Sequence, residues 1–528
     1  MARQGIPDGT TRPALAIAWL AVCTISIADI GFVFVVLLIL QPYLYDLNVL
    51  LGNVIGLRIN YMLFFAILAG LLITWFFILI VRYKRQLSRN AISFKICRVE
   101  IAISIVILVA WNVFYIIFGS MAGGEIFIVV RFLDGISFYL YIALNVLMVA
   151  CLFKAIPAIL RMVKRVRKLT GKARYANIIA LSTMLAIYTA CFALPFVLTP
   201  TTISSDPLPP KPRLIGHRGA SNYAPENTIR AAQESLQFGV AGWEVDVQVS
   251  FDGVFFLMHD DDLRRTTDVE TVYPNLASVP ACMFNFSQIR ALDAGSWFAD
   301  DDPYGTILSG IVPRSQAESY RGVKVPSLQD AINFSETHDL ILEIDFKSPP
   351  LGHPFHDTAR SSMIAMLGAS SLGKKAWVYT ASASAENLSR LCTRSCSVES
   401  VIAKGYDAVN LDLDVPNARL AEYRAHGIPT ILYTVDSVEI YSTLWTLGVM
   451  YVKTNRPWLF TGLDQPVPRM THAQYAAFWL AFFAAGIAAV IFALILRQKG
   501  IVPRKKDENE EEKRKANHTD TPTSKPMP

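Results

Sequence analysis

The chain has 528 residues, of which 53% are hydrophobic and 17% charged, and 49 basic against 43 acidic residues give a formal charge of +6. Soluble chains average roughly 45–50% apolar and 25% charged residues, so this composition excludes both an ordinary soluble enzyme and a disordered chain. The basic residues flank apolar segments, which points to membrane topology and away from a nucleic-acid partner. Seven cysteines in so long a chain do not make a disulfide framework, and no CxxC pair or Cys/His cluster suggests zinc.

Six apolar runs stand out in chain order: 14–40, 61–81, 101–118, 126–153, 177–198 and 475–496. Each can supply the roughly 20 apolar residues that a spanning helix needs. The first is longer than the apolar core of a signal peptide, about 7–15 residues, and is read as a retained helix. Residues 1–13 then form a cytosolic N-terminus and 14–200 a membrane region of five helices. The second loop holds Arg82, Lys84, Arg85, Arg89, Lys95 and Arg98. The fourth is rich in Lys and Arg from Lys154 to Arg174, and the tail opens on Arg497, Lys499 and Arg504. The first loop has only Arg58, and the third has no basic residue. These counts alternate in register with six helices and two cytosolic termini.

The segment between the fifth and sixth helices then faces the lumen or the exterior. Pro207, Pro209, Pro210 and Pro212 stiffen a linker over 201–212, and a domain follows over 213–463. The sixth helix is expected over 473–497, and 498–528 reads as a disordered cytosolic tail. Asn285, Asn333 and Asn387 each open a glycosylation acceptor, usable only on the lumenal side. Cys392 and Cys396 are close enough in sequence for a disulfide there, or on one helix would equally be free.

Within 213–463, strand patterns fall at 214–217, 243–249, 254–258, 340–346, 376–379, 408–411, 430–434 and 450–453. Helical patterns separate most of them, as at 228–238, 328–338 and 418–426, and a long insertion occupies 261–322. Eight strands in about 250 residues have the size of a (β/α)8 TIM barrel. A doubly wound open sheet satisfies the same pattern.

The chemistry gathers at strand ends. The first strand runs into His217-Arg218-Gly219, where glycine permits a tight turn and Arg218 can grip a phosphate with a planar fork. Shortly after it comes Pro225-Glu226-Asn227-Thr228, in which Asn227 or Thr228 can cap a helix. Glu244 and Asp246, two apart on the second strand, share a face. Paired carboxylates of this kind suit a hard divalent cation. The third strand ends at His259-Asp260, and the fourth carries Glu343, Asp345 and Lys347 on one face. Together these residues describe a metal-assisted site for an anionic substrate.

The strings LIGHRGASNYAPENTIRAA, WEVDVQVSFDGVFFLMHDDDLRRTTD and VPSLQDAI resemble the glycerophosphodiester phosphodiesterase family over about 213–460. The helix layout is similar to that of the family's six-pass membrane members, whose domain is extracellular. The resemblance implies a TIM barrel inserted between membrane helices. It makes His217 and His259 the general acid and base, and Glu244 and Asp246 ligands of one divalent metal ion. The family's third ligand lies in an ExK motif. Asp345-Phe-Lys347 is the match here, with Asp in place of Glu, so Asp345 is the expected ligand and Glu343 the fallback. Arg218 and Lys347 would hold the phosphate. Lys453-Thr454-Asn455, where many members have Asp after the Thr, receives no role.

Calcium is the expected ion, with magnesium or zinc as alternatives. The implied substrates are glycerophosphoinositol, glycerophosphocholine or a GPI-anchor diester, acted on beside the lipid bilayer. Hydrolysis proceeds either through a cyclic phosphate or by direct attack of water. The rival readings are a catalytically weak binding module signalling through the helices, a transporter, and a sphingolipid lyase on the same barrel.

Overall fold

The computed structural model describes residues 13–40, 60–89, 98–121, 125–166, 170–204, 206–393 and 396–498. The expected tail and most of the expected N-terminus lie outside them. Among the described residues, five helices precede the barrel: α1 (Pro13–Leu40), α2 (Tyr61–Arg89), α3 (Arg98–Met121), α4 (Glu125–Val166) and α5 (Gly171–Val197). Three stretches of the described residues are long and apolar enough to cross a membrane: Leu63–Lys84 in α2, Val130–Leu152 in α4, and His472–Leu496 in the helix after the barrel. Shorter apolar stretches, Val22–Val35, Val99–Val113 and Leu181–Val197, lie in α1, α3 and α5.

Cys23 and Ile30 of α1 are buried with Ala69 and Phe76 of α2. Leu63, Phe64, Ile67, Leu71, Phe77 and Ile78 leave α2 outward and exposed. Surrounding hydrocarbon would cover such an apolar surface at no cost, whereas water would not. Phe138 and Tyr141 of α4 pack with Tyr475 and Trp479 of the helix that follows the barrel, and Tyr475 donates to the Pro195 carbonyl (3.0 Å).

The strands are β1 (Arg213–Gly216), β2 (Gly242–Val249), β3 (Phe255–Leu257), β4 (Ile341–Phe346), β5 (Ala376–Val378), β6 (Ser389–Thr393), β7 (Ala408–Asp412), β8 (Thr430–Tyr433) and β9 (Tyr451–Thr454). Neighbours pair in the order β1-β9-β8-β7-β6-β5-β4-β2, and β1 also pairs with β2, so the sheet closes. The open-sheet alternative is excluded. All eight barrel pairings are parallel, while β3 pairs antiparallel with the outer end of β2 and lies outside the ring.

Two sequence expectations are corrected here. The apolar segment 254–258 forms a hairpin arm of β2 rather than a barrel strand, because the tight Ser250–Gly253 turn allows only antiparallel return. The eighth barrel strand is β6, Ser-Arg-Leu-Cys-Thr, which shows no continuous apolar run. Its Cys392 is disulfide-bonded to Cys396, so that pair does not lie on one helix.

Ile215, Ile341, Trp377, Leu391, Ala408 and Ile431 fill the barrel interior. On the outside, Val245 and Val247 pack with Leu328, Ile332, Met363 and Leu367 of the surrounding helices. The helix α6 (Ile229–Leu236) starts where the Thr228 hydroxyl accepts the Ala231 N–H, and α7 (Leu328–Thr337) where Ser327 and Asp330 cap each other.

The turn after β1 packs directly on α6. Gly219 has φ +88° there, and a Cβ on it would lie 2.6 Å from the Ala231 Cβ. Gly219→Ala should therefore cost about 1–3 kcal/mol from overpacking alone. Thermal unfolding of the full chain in detergent checks this, and an unchanged midpoint would contradict the close approach.

Candidate active site

Parallel strands in register place equivalent residues side by side. Glu244 on β2 sits opposite Glu343 on β4, and Asp246 opposite Asp345. With period-two alternation all four point inward, toward the C-terminal end of the barrel. Oxygens of Glu244, Asp246 and Asp345 all lie within 4.8 Å of one another. Glu343 turns away from this group and binds Lys453 (2.8 Å) and the Tyr379 hydroxyl. The structure thus gathers the expected ligand set and leaves the fallback residue elsewhere.

Burial, then repulsion from Asp246, holds the Glu244 carboxyl well above its usual range, and the same two causes raise Asp345. Asp246 is lowered, because Arg218, His259 and Lys347 outweigh its burial. Three converging carboxylates, two of them raised by burial and mutual repulsion, fit a bound divalent cation. The donors are all oxygens, the set that calcium and magnesium prefer.

The surrounding residues come from loops at the same end. Arg218 takes the left-handed conformation (φ +52°), which directs its N–H to Glu244 Oε2 (3.0 Å). Its guanidinium reaches Glu226 (3.1 Å) and Asp246 (3.3 Å). Asn227, also left-handed (φ +55°), clasps Asp246: its amide donates to Oδ2 (2.8 Å) and its carbonyl accepts the Asp246 N–H (3.0 Å). Of the two capping residues considered from sequence, Thr228 caps the helix and Asn227 holds the carboxylate. Lys347 donates to the His259 carbonyl and stands 3.8 Å from Asp246.

The two histidines have different partners. His217 Nδ1 lies 2.7 Å from Asn455 Oδ1. The Asn455 amide nitrogen donates to Asp436 (2.7 Å), which aims its carbonyl at the imidazole. A carbonyl can only accept, so Nδ1 carries the proton and Nε2, 3.9 Å from Glu244, presents a lone pair. Burial, reinforced by Arg218, pushes the His217 imidazole down to about 3, so it is neutral near pH 7. His259 Nδ1 instead meets the Asp260 carboxylate (2.8 Å). Arg265 braces that carboxylate (2.6 Å) and binds Glu226 (2.7 Å).

All seven residues expected from sequence therefore lie at one end of one barrel. Sequence reasoning missed Arg265, Asp436, Asn455, Lys453, Tyr379 and Asn410. Lys453 and Asn455 had a readable signal, polar residues two apart where the last strand pattern ends. The others are brought in by tertiary contacts alone.

A closed parallel barrel with an acidic cluster and two histidines at its C-terminal end is a (β/α)8 barrel with a donor set that fits a divalent metal ion. Residues 217–394 match the model of the glycerophosphoryl diester phosphodiesterase family. It is 29% identical over 314 residues to glycerophosphodiester phosphodiesterase domain-containing protein 5 of Gallus gallus, covering 58% of this chain and 52% of that one. It is 28% identical over 309 residues to glycerophosphoinositol inositolphosphodiesterase of Mus musculus, covering 57% of each. The chain thus spans about half the length of these relatives. Among solved structures, a glycerophosphodiester phosphodiesterase from Agrobacterium tumefaciens aligns at 23% identity and TM-score 0.36, over 48% of this chain and all of that one.

The buried Glu226 is held well below the usual carboxylate range, because Arg265 and Arg218 outweigh its burial. That stabilisation is complete above the unfolded value of about 4.3 and is lost as pH falls through the lower folded value. The stability difference between wild type and Glu226→Gln should therefore shrink as the pH is lowered from about 6 to 3. Arg265→Ala, which strips one partner from a buried pair, should cost about 3 kcal/mol. Thermal unfolding across pH measures both, and a difference that widens on acidification would contradict the ion-pair assignment.

Proposed function

We propose that this chain is a membrane-anchored phosphodiesterase that hydrolyses glycerophosphodiesters on the lumenal or extracellular side. Its substrates are of the glycerophosphoinositol, glycerophosphocholine or GPI-anchor type. The observation that carries this reading is the Glu244–Asp246–Asp345 cluster flanked by His217 and His259, with Arg218 and Lys347 beside it. The match of residues 217–394 to the family model and the similarity to a glycerophosphoinositol inositolphosphodiesterase of Mus musculus support the substrate class.

A divalent cation held by Glu244, Asp246 and Asp345 would neutralise the phosphate oxygens as charge builds on them; calcium is the ion proposed. Arg218 and Lys347 hold the non-bridging oxygens from the protein side. His217, with Nε2 free and Nδ1–H fixed by Asn455, takes the proton of the attacking water or substrate hydroxyl. His259, whose Nδ1 is held by the Asp260 carboxylate, gives a proton to the leaving alcohol oxygen. Water adds across the P–O bond, and a phosphomonoester and a free alcohol leave. A neighbouring glycerol hydroxyl can attack first, closing a cyclic phosphate that water then opens.

Six spanning helices and two cytosolic termini complete the proposal. The alternating basic loops support it, as do three membrane-length apolar stretches, the Cys392–Cys396 disulfide, and the exposure of Asn285, Asn333 and Asn387. Disulfides and glycans both belong to that side of the membrane.

Turnover of glycerophosphoinositol by the full-length protein should disappear on chelation and return with calcium. Glu244→Gln should abolish it, and His217→Ala should lower kcat by about 10²–10⁴-fold with the fold retained. Metal-independent turnover, or a folded His217→Ala protein with wild-type kcat, would overturn the mechanism. Absence of turnover under every metal from folded protein would favour the binding-module reading.

A further inference from the structure

A cavity of about 410 Å³ opens beside the acidic cluster, lined by His217, Glu244 and Asp345 on one side and by Tyr379, Asn410 and Tyr433 on the other. Its far floor is a polar ladder whose hydrogen-bond directions can be assigned. Lys453 donates to Glu343 (2.8 Å), and the Tyr379 hydroxyl also donates to Glu343. With its proton spent there, the Tyr379 oxygen can only accept, and it receives the Asn410 amide N–H. That fixes the Asn410 amide. Its carbonyl oxygen is the end left over, buried in a residue only 3% exposed and without a hydrogen-bond partner. A buried acceptor in that state costs stability until something donates to it.

Two aromatic rings of the same cavity are already faced by cations. The Lys453 ammonium lies 4.3 Å from the centre of the Tyr433 ring, and the Arg360 guanidinium 5.1 Å from that of Phe346. Arg360 has no ion-pair partner among the described residues. A quaternary ammonium is recognised by open aromatic faces. Here it would meet Lys453 and Arg360 at those faces and would bring no N–H or O–H for Asn410.

We propose that the Tyr379–Asn410–Tyr433 side of the cavity receives one alcohol of the diester, and that it selects a polyhydroxy alcohol over a quaternary ammonium alcohol. Asn410 is the specificity-determining acceptor, and Lys453 and Arg360 are the excluding charges. This inference rests on the phosphodiesterase reading above and adds to it which headgroup the cavity accepts.

The test compares kcat/KM of the full-length protein in calcium for glycerophosphoinositol, glycerophosphoglycerol and glycerophosphocholine. Both polyol diesters should exceed the choline diester by at least about 10-fold, since a buried polar group left unpaired penalises the analogue that lacks the hydroxyl. Asn410→Ala should lower the polyol rates most and bring the ratio to within about 3-fold of one. A wild-type ratio near one would overturn the proposal, because the cavity would then read the glycerol common to all three. An inverted ratio, or an equal loss on all substrates in Asn410→Ala, would also overturn it. Calorimetric binding of the same diesters to wild type keeps the two readings apart. If no diester turns over, the phosphodiesterase reading fails, and the binding ratio still decides the selectivity.

Discussion

Parallel strands β2 and β4 run in register, and that constraint sets Glu244 against Glu343 and Asp246 against Asp345 on one inward face. Two like charges about 4 Å apart repel by roughly 4 kcal/mol at an effective dielectric near 20. Four carboxylates in a barrel mouth cannot persist as bare anions, and much of the site is a response to them. Lys453 compensates Glu343 from the opposite side of the barrel, and Arg218, Lys347 and Asn227 converge on Asp246. Glu244 and Asp345 keep raised values, with Asp246 as the main charged neighbour of each, and a divalent cation there would complete the balance.

The supporting residues separate the two histidines chemically. Asn455 is neutral and presents a carbonyl, so His217 keeps a free Nε2 lone pair. Asp260, braced by Arg265, instead offers His259 Nδ1 a carboxylate, so the two imidazoles are oriented by different acceptors. Buried charges here are tolerated because they are paired. The Glu226–Arg265–Asp260 chain links the loop after β1 to the one after β3, and it is the insertion that delivers Arg265. The long segment 261–322 therefore builds the site wall as well as packing a small core of its own around Phe284, Ile289 and Leu292.

Much of the site was legible in the primary structure because its residues sit at short, fixed spacings on regular strands. Glu244 and Asp246 share a face whatever the fold, and so do Glu343, Asp345 and Lys347. The His-Arg-Gly turn is local as well. The strand pattern was less faithful. An eight-stranded barrel was expected with 254–258 as a member and without β6. The count survived because one strand wrongly included replaced one overlooked. Hydrophobicity misled in both places: β3 is apolar because the insertion covers it, and β6 is short and half polar although it lies within the ring.

By itself the sequence determined the apolar segments, the α/β character of the domain and the inward-facing pairs of acids, since these depend on composition and on the period of a strand or helix. Tertiary structure alone decided the rest. The choice of Asp345 over Glu343 for the acidic cluster follows from Lys453, over 100 residues away in sequence, claiming Glu343. The difference between the histidines follows from which loop end each one meets, and the free carbonyl of Asn410 from the direction of a hydrogen-bond ladder crossing three strands. Such properties depend on contacts between segments distant in the chain, and only closure of the barrel brings those segments together.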